Sequence, residues 1–205
     1  MSEVDTDLSN IIAILLNASS ENDSIREESE RQIMELRNNS EEFISQLIQI
    51  YQIPDVPLPA IRLSLILTSQ MLQPHSLSDI TTIRESLLSN NDLNESLKMM
   101  LTSAISNEDM VIKNFSAKSY ALLFQALNGH WIDGLNAVVS YVSNAELHIF
   151  ERFSYLLIFH EISELTDYEK LIFNEDCLLP KYRDLLNQCI NFIGTDYSNE
   201  EVNTD

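Results

Sequence analysis

The chain has 205 residues, 44% of them apolar and 21% charged, a globular composition long enough for one domain or a short array of repeats. Three Gly and five Pro are too few for the tight turns of an all-β sandwich, and neither common Gly-rich phosphate-loop pattern is present. With 12 Lys and Arg against 32 Asp and Glu, the net charge of −20 repels phosphate backbones and anionic lipid and attracts a basic protein or peptide.

Helices are therefore expected, and the chain order supplies them. Leu8, Ile11, Ile12, Leu15 and Leu16 recur at the spacing of one amphipathic face. After the polar break at 17–24, Ser24 with Glu27 three residues on has the form of a capping box, and Ile25, Ser29, Ile33 and Leu36 follow as a stripe. Past Asn38-Asn39-Ser40, Phe43, Leu47 and Ile50 line one side of a third helix, with Ile44, Ile48 and Tyr51 beside them. Ile53-Pro-Asp-Val-Pro-Leu-Pro59 predicts a rigid turn, and residues 60–72 a helix apolar almost all round.

Beyond Pro74 the pattern repeats. Ser78 opens a helix carrying Ile80, Ile83 and Leu87; Leu93, Leu97, Leu101 and Ala104 form the next stripe. Val111, Phe115, Tyr120, Leu123 and Leu127 mark a longer helix ending before Gly129, with Val111, Phe115 and Leu123 assigned inward. Trp131, Leu135 and Val138–Val139 mark another, in which Trp131 staples the preceding turn to the helix. Ile149, Phe153, Leu156 and Leu157 line a helix to about Glu164. Pro180 suits a helix start, with Leu185, Leu186, Cys189, Ile190 and Ile193 behind it, and residues 196–205 read as a disordered acidic tail. No strand pattern appears. First helices at Asp7, Glu41, Ser78, Trp131 and Pro180 recur about every 43 residues, near the period of HEAT and armadillo helix pairs. The expected fold is an all-α solenoid of antiparallel pairs over residues 1–195, about four and a half repeats, with a compact helical bundle as the alternative.

Chemistry is harder to find. His75, His130, His148 and His160 are dispersed, the two cysteines cannot build a metal cage, and adjacent pairs such as Glu27-Glu28 point to different sides of a helix. No metal, cofactor or catalytic group is expected, and no enzyme. The acidic start is the reverse of a secretory leader, and no run approaches the ~18 apolar residues of a membrane span. A cytoplasmic and nuclear protein is expected, with no membrane insertion and no nucleic-acid binding.

Several segments resemble the N-terminal domain of the importin-β (karyopherin-β) family. Arg26, Ser29, Glu30, Ile33 and Leu36 fill the pattern of its second helix, Glu41 to Ile50 is similar to its next helix, and Pro57 to Leu67 resembles its fourth, which opens with an Arg. His130 to Leu135 looks like the Trp-Pro opening of a later repeat, with Ile132 in place of Pro. The likeness is best over residues 5–75 and looser over 108–160. It implies a HEAT superhelix of a nuclear import factor whose second helices bind the small GTPase Ran in its GTP form. On that basis Arg62 and Ser69 in the fourth helix, and Asp109, Lys113 and Ser116 ahead of and along the helix to Leu127, are the candidates for exposed partner contacts; Thr68-Ser69-Gln70 stands where the family has Lys-Asn. A HEAT scaffold joining other proteins, without a transport cycle, is the alternative function.

Overall fold

The computed structural model describes residues 3–73, 77–127, 131–144, 146–147 and 149–165. The expected helix after Pro180, both cysteines, His75, His130, His148 and the tail at 196–205 lie outside the described residues, as does any fifth repeat. Among the described residues there are nine helices and no strand, which makes the all-α expectation correct.

The first layer pairs α1 (Glu3–Asn17) with α2 (Asp23–Leu36). α1 buries Leu8, Ile11, Ile14 and Leu15, the expected stripe shifted slightly. α2 is capped by Asn22, whose Oδ1 accepts from the N–H groups of Ser24 and Ile25 at 3.0 and 3.3 Å. That bond satisfies the first turn before Ser24 can, so the predicted cap moves back two residues. Ser29 and Ile33 are the buried residues of α2, and Ile25, expected in the stripe, is exposed.

α3 (Ser40–Gln52) and α4 (Leu58–Leu72) form the second layer. The two expected faces of α3 are both used. Phe43, Leu47 and Ile50 join α1, α2 and part of α4 in one core, while Ile44 and Ile48 enter a second, larger core that reaches α9. α4 divides the same way, Ala60 and Leu67 on the first side and Leu65 and Leu72 on the second, and Met71 packs against both. The turn between the helices turns on Asp55 at φ 63°, a left-handed conformation that Asp tolerates better than most side chains.

The third layer departs from the expected pairing. α5 (Leu77–Ser89) was the sequence's choice for its first helix, but α6 (Asn91–Ala104) is the one packed on α3 and on α7 (Met110–Ala126). The reason is the break at Ser89-Asn90: Asn90 Oδ1 accepts from Leu93 N–H at 3.0 Å and starts α6 as a fresh helix, leaving α5 as an extra element against α6 and α7. The inserted helix also explains why the repeat spacing is uneven.

α8 (Ile132–Ser143) and α9 (Ile149–Leu165) form the last layer among the described residues. Trp131 fastens the start of α8 to α7: its ring stacks on Tyr120 at 4.2 Å, and Lys98 Nζ lies 5.6 Å from its centre, whereas the turn it was expected to staple lies outside the described residues. Tyr120 donates its hydroxyl to Gly134 O at 2.9 Å, and Arg152 Nε donates to Val142 O at 3.1 Å, tying α8 to both neighbours. In α9 the buried residues among those described are Ser154, Tyr155, Ile158, Phe159 and Ile162; of the expected stripe Leu156 and Leu157 pack against the same core partly buried, and Phe153 is exposed. α9 is apolar on nearly every side, and periodicity then cannot choose a face. Among the described residues the contacts between layers run from each layer to the next, α1 on α3 and α4, α3 on α6, α4 on α7 and α7 on α9, which is a solenoid of four described layers and not a closed bundle.

Candidate partner-binding surface

Second helices α4, α7 and α9 form a continuous row, and the five candidate residues all fall on or beside its first two members. α7 is the centre of this row. Eleven of its 17 residues are buried, because α4, α5, α6 and α9 cover it from most sides.

That environment overturns part of the exposure pattern expected from sequence. Ser69, Lys113 and Ser116 are buried, at 1%, 8% and 0% exposure, while Val111 and Phe115, assigned inward, are only partly buried. Ile112 takes the interior position. The inward face of α7 is thus rotated by about one residue from the predicted one, since a helix wrapped on most sides has no single stripe to read. Small buried side chains explain how the row packs: Ser64, Thr68 and Ser69 of α4 and Ser116, Ala117, Ser119 and Ala121 of α7 keep the interfaces narrow. Thr68 Oγ1 donates to Ser64 O at 2.8 Å and Ser116 Oγ to Ile112 O at 2.6 Å, so these hydroxyls are satisfied within their own helices.

Arg62 and Asp109 meet each other. The Arg62 guanidinium donates to both Asp109 oxygens, with Nε at 3.2 and 3.1 Å and Nη2 in a closer ion pair. Asp109 is also the N-cap of α7, accepting from the N–H groups of Val111 and Ile112 at 3.0 and 3.1 Å. One carboxylate therefore starts α7 and fastens it to α4. The Arg62 hydrogen bond, ahead of the two backbone N–H groups, holds the Asp109 carboxyl below the usual carboxylate range, and Asp109 in turn raises the Arg62 pKa. Arg26 plays a comparable but local part, pairing with Asp23 and Glu30 and reaching Ser20 O at 3.4 Å.

What remains exposed on the same helices lies at their N-terminal ends. Leu58 at the start of α4 and Met110 at the start of α7 are 43% and 50% exposed, and the side chain of Arg62 is 42% exposed between them in sequence order. Asn114 continues the exposed edge one turn along α7. The sequence reading passed over Leu58 and Met110. Their signal was an apolar residue in the first helical position. Among the described residues no group of His, Cys, Asp or Glu could hold a metal ion, and no helix is long and apolar enough to cross a membrane.

Compared with solved structures, the chain aligns with Kap95 in the Kap95:Nup1 complex over 92% of its own length and 22% of the Kap95 chain, with a TM-score of 0.76 and 18% identity. The chain has an importin-β-like fold. A second Kap95 structure, in which Kap95p binding induces the switch loops of RanGDP to adopt the GTP-bound conformation, aligns over 98% of this chain and 25% of that one, with a TM-score of 0.71 and 17% identity. The sequence matches no family model and no curated protein. The importin-β-like segment thus spans about a quarter of the length of the proteins it matches, and the likeness is one of architecture. The second of these structures is described in terms of nuclear import complex assembly.

Proposed function

We propose that this chain is an importin-β-like segment that binds a Ran-type small GTPase and takes part in nucleocytoplasmic protein transport, acting in cytoplasm and nucleus. The observation that carries the reading is the alignment of nearly the whole chain with Kap95 as it occurs with RanGDP. The binding surface is the exposed edge of α4 and α7, with Leu58 and Met110 as apolar anchors and the Arg62–Asp109 pair holding the two helices in register. Ser69, Lys113 and Ser116 act beneath that edge as packing residues. Since Kap95p drives the switch loops of RanGDP toward the GTP-bound conformation, a partner recognised through that conformation is bound more tightly when GTP already holds it.

Titration with Ran carrying a GTP analogue or GDP tests this directly. Binding is expected to favour the GTP form and to weaken by about tenfold in a Leu58→Glu/Met110→Glu variant, as for loss of interface anchors. Absence of binding to either form at low salt removes the GTPase from the account. The second reading, a HEAT scaffold without a transport cycle, then stands, and the burial of three of the five candidate side chains already favours it in part.

A further inference from the structure

The connection between α6 and α7, residues 105–109, carries an exposed hydroxyl and leads into the Arg62–Asp109 pair. Ser106 is exposed, and its Oγ makes no hydrogen bond among the described residues. Glu108 and Asp109 follow it at the second and third positions. A hydroxyl with a carboxylate three residues on occurs at Ser20, Ser24, Thr82, Ser89, Ser106 and Ser143 among the described residues. Four of these lie in helices, and Ser20 Oγ already accepts from Asn22 N–H at 3.2 Å. Of the six, Ser106 alone combines a non-helical backbone with an uncommitted hydroxyl.

Two cations stand where that connection ends. Arg62 gives Nε and Nη2 to Asp109, while its Nη1 makes no hydrogen bond among the described residues. Lys113 is nine-tenths buried and has no ion-pair partner among the described residues. It lies one helical turn beyond Asp109, and helical side chains lean toward the N-terminus, which directs its stem toward the same end of α7. Ser106 is three residues from Asp109, at most about 10 Å along a fully extended chain. Asn107 folds the segment shorter than that, its Oδ1 accepting from Asp109 N–H at 2.9 Å.

We propose that Ser106 is a phosphorylation site for a serine kinase that selects acidic sequences, and that Arg62 and Lys113 receive the phosphate. A kinase of that class has a basic substrate groove, which the carboxylates of Glu108 and Asp109 and the net charge of −20 favour. In the transfer, Ser106 Oγ bonds the γ-phosphorus of ATP and the bridging bond from the β-phosphate breaks. ADP departs with the electron pair of that bond, and the hydroxyl proton passes to the kinase's carboxylate base. The product carries a charge of about −1.5 to −2 ahead of the N-terminus of α7, where the helix dipole also favours an anion. Arg62 Nη1 and the Lys113 ammonium donate to it, while Nε and Nη2 of Arg62 stay on Asp109. The modification thereby fastens the α6–α7 connection to α4. The site stands independently of the GTPase reading.

Incubation of the full chain with an acidic-directed serine kinase and ATP, followed by peptide mass mapping, is expected to place one phosphoryl group on Ser106. Absence of phosphate there overturns the site. Thermal melts of the phosphorylated and phosphatase-treated protein test the receptor, with kinase-treated Ser106→Ala subtracting any phosphate elsewhere. The sign decides. On a chain already at −20 an unreceived dianion lowers the melting temperature, whereas one held by Arg62 and Lys113 raises it by about 2–4 °C. A fall or no change overturns the receptor. Arg62→Gln is expected to abolish the rise and Arg62→Lys to keep part of it; an undiminished rise in Arg62→Gln removes Arg62 from the proposal. Phosphorus NMR reads the same contact without reference to stability. The second phosphate pKa is expected below the ordinary value of about 6 in the parent and higher in Arg62→Gln, and equal values in the two would overturn the contact.

Discussion

Asp109 combines two tasks that substitution can separate. Asn at this position keeps an oxygen to cap α7 but surrenders the charge that holds Arg62, whereas Ala loses both. Asp109→Ala is expected to destabilise by about 1–2 kcal/mol, the range of a lost cap with its attendant hydrogen bonds, and Asp109→Asn by less. Because the folded carboxyl has a lowered pKa, its contribution is present above the unfolded value of about 3.9 and lost as pH falls through the folded one. Urea titrations of parent and Asp109→Asn between neutral pH and pH 3 should therefore converge as acid is added. Tyr120 behaves in the opposite sense. Burial, assisted by Tyr155, pushes its phenol above the usual value, so the unfolded chain ionises first and stability falls as pH rises past about 10. Tyr120→Phe should flatten that alkaline loss, at the cost of the bond to Gly134 O at neutral pH. Gly134 itself has no room for a methyl group: a Cβ would stand 2.5 and 2.6 Å from two Trp131 ring atoms and 2.8 Å from the Tyr120 hydroxyl. Gly134→Ala is expected to cost about 1–3 kcal/mol through overpacking, read from the shift in denaturation midpoint. A neutral result would mean that Trp131 has space to move.

Among the helices, legibility followed burial. α1, α3 and α6 each offer one or two clear apolar faces over a polar remainder, and their stripes were readable because a half-covered helix must separate its sides. α7 is covered by four helices and α9 carries apolar residues round much of its axis, so the sequence indicated that they are helices without indicating which way they face. The same difficulty hid the exposed edge of α4 and α7, and the site candidates inherited the error: Lys113 and Ser116 are polar residues drawn inside by a helix covered on several sides. The Arg62–Asp109 pair was out of reach for another reason, since 47 positions separate its members and only the stacking of layers brings them together. Elements also differ in stability. α2 contacts chiefly α1 and buries two residues, while α7 is held by four neighbours. Native-state hydrogen exchange should find α2 amides exchanging through local opening well below the global unfolding free energy, and the middle of α7 only near it. Similar protection in both would show that the first layer is bound more firmly than its contacts suggest.

At the scale of the molecule, charge and stacking act together. A net charge of −20 on a small protein opposes its own compact state, and the carboxylates along α3 are among those without a compensating cation among the described residues. The melting temperature is expected to climb as NaCl is raised toward physiological strength and the Debye length contracts to about 8 Å. A fall with salt would mean that pairs such as Arg62–Asp109 outweigh the repulsion. The division of the interior into two cores, with Met71 packed against both, has a mechanical corollary. Force applied between the described ends has no strut across which to pass; it must travel through each layer in turn. An optical trap pulling on residues 3 and 165 should therefore record successive rips, the first releasing the α1–α2 corner while everything beyond α3 still bears load. The protein would yield like a zip fastener and not like a snapped rod.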